Sequence, residues 1–162
     1  MRASVLVLLA GLALGPTAQA GQDRIDVKIS PALQHAAETS LGVRDVQQLA
    51  EDLKREVGRS LARTGVLDGA RLELILVDAK PNRPTFKQLG DQPALSMESF
   101  GVGGATIEGK AVAVDGTVMP LRYRWYETDI RNAPYRTTWA DADAAISQFA
   151  DRLARGETAQ TR

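Results

Sequence analysis

The sequence predicts an α+β domain of two layers, a mostly antiparallel sheet with its helices packed on one face. Three observations predict it. Segments 25–29, 71–78, 105–114 and 118–127 read as strands, with apolar and polar residues alternating at 25–29 and at 121–126. A long stretch at 44–64 and a closing one from about Thr138 instead carry apolar residues at helical spacing. The last two strands flank Asp115-Gly116, a hairpin signal that makes them antiparallel neighbours.

The first twenty residues read as a secretory signal peptide: Arg2, the apolar run VLVLLAGLAL, Gly15-Pro16 as a helix breaker, and Ala18-Gln19-Ala20 as a cleavage site. The apolar run is too short for a bilayer, which needs about 20 residues, so no transmembrane segment is expected and export to the periplasm or medium is. Residues 21–156 form a single domain, and 157–162 a tail that frays. The 162 residues hold 20 basic and 20 acidic side chains, and removal of Arg2 with the signal leaves one acid in excess. Such a balance lacks the positive footprint of a nucleic-acid binder. With no cysteine there is neither a disulfide nor a thiolate nucleophile nor a lipid-anchor site, and the core alone holds the fold.

Ile25-Asp-Val27-Lys-Ile29 is the first strand, and Ser30-Pro31 then caps and opens a short helix to about Ser40. In the long helix Val46, Leu49, Ala50, Leu53, Val57 and Leu61 form one stripe, ended by Gly65. At 1.5 Å per residue its length is about 30 Å, enough to cross a sheet. RLELILVD, 71–78, carries apolar residues on both faces and so reads as a central strand. Pro81, Pro84 and Pro93 make 79–99 a long loop with one turn of helix near Phe86 to Leu89. The closing helix buries Trp139, Ala142, Ile146, Phe149, Ala150 and Leu153, with Gly156 after it.

Gly104-Ala-Thr-Ile-Glu-Gly109-Lys110 satisfies the spacing of a phosphate-binding loop, but Ala111 stands where a Mg²⁺-binding hydroxyl belongs, and a strand rather than a helix follows. The glycines therefore have a structural task. With Asp115-Gly116-Thr117 as the hairpin loop, Gly109 faces Tyr123, whose ring covers the bare backbone. That register opposes Glu108 to Arg124 and Thr106 to Tyr126, and sets the like charges Lys110 and Arg122 against each other.

In Arg122-Tyr-Arg124-Trp-Tyr126 the alternation sends Tyr123 and Trp125 to the core and Arg122, Arg124 and Tyr126 to the other face. These three, joined by Arg83 of the long loop, are the candidate binding residues. A competing reading takes Asp78, Glu127, Asp129 and the lone His35 as the acids and base of a small periplasmic hydrolase. One histidine and no cysteine give no metal-ligand set, and no cofactor is expected.

A signal peptide, a long amphipathic helix, LELILVDAKP, a long loop, the hairpin GGATIEGKAVAVDG…LRYRWYE and the closing ADAAISQFADRLA resemble small exported bacterial proteins of unknown function. The layout is also similar to periplasmic accessory lipoproteins of lipid-transport ABC systems, although the acylated cysteine of those proteins is absent here. The resemblance implies a non-enzymatic binding or accessory protein of the cell envelope. Its open sheet face and proline-rich loop would meet a partner protein or another envelope component.

Overall fold

A computed structural model of the chain describes residues 24–157 and the backbone of 159–160; the expected signal peptide lies outside the described residues. Strand β1, Ile25–Ile29, leads into α1, Pro31–Ala36, where Ser30 caps the helix by accepting the Leu33 N–H at 3.1 Å and Pro31 opens it. The helix runs on as a π-helical turn, Ala37–Leu41. Then come α2, Val43–Thr64; β2, Arg71–Lys80; α3, Phe86–Asp91; β3, Gly104–Val112; β4, Val118–Tyr126; a 3₁₀ turn, Ile130–Tyr135; α4, Ala140–Ala154; and β5, Ala159–Gln160. Among the described residues no helix is long and apolar enough to cross a membrane.

The strands lie in the order β1-β2-β3-β4-β5. The sheet is mixed: β2, β3 and β4 are antiparallel neighbours, whereas β1 runs parallel to β2, and β5 parallel to β4. The parallel β1–β2 pair follows from its connection, because two helices intervene and carry the chain back to the starting edge. The tail, expected to fray, lays Ala159–Gln160 beside Arg122 and Tyr123.

The core sits between one sheet face and the long helices. Val46, Leu49, Leu53 and Val57 of α2 are buried against β1 and α4, in one core with Leu72, Leu74 and Leu76 of β2. In α4 the small residues Ala142, Ala145 and Ala150 let the two helices approach, while Ile146, Phe149 and Leu153 fill the space over β3 and β4. Leu61, expected inside, is only partly buried, and Ser60 takes the enclosed position one residue earlier. Gly65 ends α2 in the left-handed conformation with φ of 69°.

The hairpin corrects the expected register by two residues. Gly116 N–H donates to the Ala113 carbonyl at 3.0 Å and Ala113 N–H to that of Thr117 at 2.9 Å, so the loop is Val114-Asp115-Gly116. Gly116, at φ of 86°, supplies the left-handed residue after the turn. Gly109 consequently faces Leu121 rather than Tyr123, Glu108 faces Arg122, Thr106 faces Arg124 and Lys110 faces Pro120. A slip of two preserves which face each side chain occupies and removes the Lys110–Arg122 opposition that the expected register carried.

Aromatic cover exists, at a different glycine. Gly104 stands directly opposite Tyr126, and a Cβ there would lie inside the Trp125 carbonyl oxygen and 2.7 Å from Tyr126 Cδ1. Gly109 is glycine because β2 is too close: a Cβ would lie inside the Glu73 carbonyl oxygen and 2.9 Å from Leu74 Cα.

Candidate functional site

The sheet face turned away from the helices is laid out in rows by the observed register. Asp26, Glu73, Lys110 and Pro120 make the first row, and Lys28, Ile75, Glu108 and Arg122 the second. A β-bulge creates the third. Leu76 pairs with Ile107 but Asp78 pairs with Thr106, leaving Val77 as the extra residue, its carbonyl accepting the Ser30 hydroxyl at 2.7 Å. Without the bulge Asp78 would follow Leu76 into the core; with it, Ala79 is buried and Asp78 joins Thr106 and Arg124 outside.

The charges on this face are mostly paired. Lys110 lies 3.1 Å from Glu73, Arg71 3.1 Å from the same carboxylate, and Arg122 3.2 Å from Glu108. The Lys110 hydrogen bond, with the charges of Lys110 and Arg71, holds the Glu73 carboxyl below its ordinary range. Arg124 makes no ion pair among the described residues; its guanidinium carbon stands 5.4 Å from the centre of the Tyr126 ring, a cation–π arrangement. The Tyr126 hydroxyl donates to Asp78 at 2.5 Å and lies 3.0 Å from the Thr106 hydroxyl. Burial, then the hydrogen bond to Asp78, pushes this phenol up to about 12, so it is a proton donor throughout the neutral range.

Two shallow concavities result. One of 680 Å³ has Gly109, Leu74 and Leu121 as its floor and Lys28, Lys110 and Arg122 on its walls. The other, of 400 Å³, lies among Asp78, Thr106, Glu108, Arg122, Arg124 and Tyr126. The structure thus brings Arg122, Arg124 and Tyr126 together and adds Asp78, an acid of the competing hydrolase reading.

Arg83 is placed elsewhere. Its guanidinium donates to the carbonyls of Arg136 at 2.7 Å, Met97 at 2.9 Å and Pro134 at 2.6 Å, so it staples the long loop to the 3₁₀ turn. Beside it lies a buried polar knot that the sequence did not disclose. The Asp141 carboxylate accepts from Asn82 Nδ2 at 2.5 Å and from the Gly103 N–H at 3.0 Å, while Asn82 Oδ1 accepts the Asp141 N–H at 2.9 Å. The other Asp141 oxygen has only the Arg136 guanidinium, at 3.4 Å. Fastened in this way, the loop and turn hold apolar side chains in solvent: Phe86 is 84 % exposed, Met97 61 % and Tyr135 90 %.

The remaining candidate acids serve local structure. Glu127 accepts from the Asp129 N–H, the Asn132 amide and the Thr128 N–H, which lowers its pKa, and Asp129 caps the 3₁₀ turn and pairs with Arg131 at 2.7 Å, which lowers its own. His35 is exposed on α1. Among the described residues no group of three or more His, Asp or Glu side chains is placed to hold a metal ion. Gly104 to Lys110, the stretch with phosphate-loop spacing, lies wholly within β3.

Fold and site define a small mixed-sheet α+β domain with one helix-covered face and one polar face that is uncovered among the described residues. No protein-family model, curated protein or solved structure matches the chain.

Proposed function

We propose that the chain is a non-enzymatic binding or accessory protein of the bacterial envelope, exported by its N-terminal signal, which meets a partner protein through the open sheet face. The observation that carries this reading is the cluster of Arg122, Arg124 and Tyr126 beside Asp78: both arginines are exposed, the phenol is half-buried, and the concavity among them is lined by residues of β2, β3 and β4. The loop end supports it. Arginine, tyrosine, phenylalanine and methionine are the side chains enriched in protein interfaces, and loops positioned by a rigid scaffold commonly carry binding. The paired charges of the first two rows would orient the partner more than hold it.

The test compares affinity capture from envelope extract by the unaltered protein, by Arg122→Glu/Arg124→Glu, and by Gln48→Glu on the exposed side of α2. The expected result is a partner retained by the first and third and lost by the second. Equal capture by all three would contradict the assignment. Export, part of the same proposal, predicts a secreted form beginning at Gly21 by mass spectrometry.

A further inference from the structure

Strand β1 is the first strand of the sheet order, and among the described residues nothing pairs with its outer edge; β4, at the other end, has β5 beside it. The direction of its backbone groups follows from two hydrogen bonds. Leu72 N–H donates to the Arg24 carbonyl at 2.8 Å, and Ser30 N–H donates to the Leu76 carbonyl at 3.0 Å. In a parallel strand one parity of residues faces one neighbour, so the even residues 24 to 30 face β2 and the N–H and C=O groups of Ile25, Val27 and Ile29 point outward. An edge of this kind, with no proline, no bulge and no covering element, is a template for another strand.

The side chains specify which strand. Ile25-Asp26-Val27-Lys28-Ile29 is palindromic in chemical character. Laid antiparallel to itself about a two-fold axis through Val27, it opposes Asp26 to Lys28 of the second copy, and Lys28 to the second Asp26, on the open face. It opposes Ile25 to Ile29 on the helix face. The same register makes Ile25, Val27 and Ile29 the hydrogen-bonded positions, which is the set already facing outward, and leaves Asp26 and Lys28 at the positions where opposed side chains come closest. An axis through Asp26 or Lys28 satisfies the same backbone parity but opposes like charges. On the helix side, Ile25 is already buried in its own core, and Val43, 44 % exposed beside Ile29, lines a groove of 340 Å³ at this edge that the second copy would border.

We infer that the outer edge of β1 is a homodimer interface, in which two copies join antiparallel through Ile25–Ile29 to form one continuous sheet. The axis stands perpendicular to the sheet, so both helix layers fall on one side and both open faces on the other. The inference does not depend on what the open face binds.

Sedimentation velocity on the purified protein tests it, with circular dichroism as the check on folding; Asp26 and Lys28 are both exposed and only 3.8 Å apart as a pair, so their exchange leaves the core untouched. The unaltered protein is expected to dimerise in the micromolar range. Lys28→Asp and Asp26→Lys, which each set like charges across the axis, are expected to raise the dissociation constant about tenfold or more. Mixing these two variants restores every opposite pair and should give the heterodimer. The double exchange Asp26→Lys/Lys28→Asp should recover the homodimer. In hydrogen exchange, the Val27 amide should be protected in the dimer and unprotected in Lys28→Asp. A protein monomeric throughout that range overturns the inference, as does a dimer indifferent to both single substitutions.

Discussion

Replacing Gly104 with alanine tests the link between the hairpin and the open face. The added Cβ would lie inside the Trp125 carbonyl oxygen, 2.6 Å from Tyr126 Cα and 2.7 Å from its ring. Two of those contacts are backbone, so relief requires β3 and β4 to part at the Gly104–Tyr126 pair rather than a side chain to turn. Overpacking of this kind costs about 1–3 kcal/mol. Displacement of the ring also breaks the Tyr126 hydrogen bond to Asp78, of the charged class worth about 1.5–3 kcal/mol. Together they give about 2.5–6 kcal/mol, or a fall in Tm of roughly 8–18 °C for a domain of this size. Gly116→Ala is the control: its φ of 86° also disfavours a side chain, but nothing lies within 4 Å, so the cost should stay near 1 kcal/mol. Thermal denaturation followed by circular dichroism reads the stability. Spectrophotometric titration, with Tyr126→Phe as the subtraction, reads the phenol, whose pKa should fall from about 12 in Gly104→Ala. The sign is that of an acid raised on folding: Tyr126 holds its proton more tightly in the folded chain, so its contribution is full below pH 10 and is lost as pH rises toward 12. A Gly104→Ala protein within about 0.5 kcal/mol of the original, with an unchanged phenol titration, would refute the reasoning.

Leu53→Ala, at a fully buried position of α2, should cost about 2–5 kcal/mol in urea denaturation, and Gln48→Ala, on the exposed side, less than about 0.5. Asp141→Ala strands the Asn82 amide and the Gly103 N–H, and should cost about 3–5 kcal/mol; limited proteolysis should then cut the 81–103 loop, and an uncut loop would contradict its proposed fastening. Asp143 has its pKa raised by burial and then by the charge of Asp52 on the facing helix, so the folded chain binds its proton more tightly than the unfolded chain does. Stability falls as pH rises through that raised pKa, and Asp143→Asn should raise Tm at neutral pH by a small amount that vanishes in acid, small because the side chain still reaches water.

What the sequence disclosed was whatever one period determines. The stripe through Leu49, Leu53 and Val57 needs only 3.6 residues per turn, and Gly65 only a left-handed end, so α2 was legible almost to the residue. Faces were legible too: Tyr123 is inside, and Arg122 and Arg124 are outside. Register was not, because a slip of two residues conserves every face and the turn allowed more than one loop. The clash between Lys110 and Arg122 was a usable signal, and the observed register avoids it. Asp78 reaches the open face through an extra residue at Val77, and no alternation can announce a bulge in an apolar run. Asn82 and Asp141 stand 59 residues apart, and Arg83 spends its charge on carbonyls, which sequence does not display. Nor does the pattern RLELILVD separate a parallel from an antiparallel neighbour, so the parallel β1 appeared only in the fold.

The central claim, that the open face is where this protein works, is most directly tested by photocrosslinking in intact cells. A crosslinking amino acid would be placed singly at Lys110, Arg122 and Arg124 on that face, and at Gln48 and Glu51 on the exposed side of α2. The account predicts one shared adduct from the open-face positions and none from the helix. An adduct from the helix positions alone, or none from any open-face position while the protein accumulates normally, would contradict it.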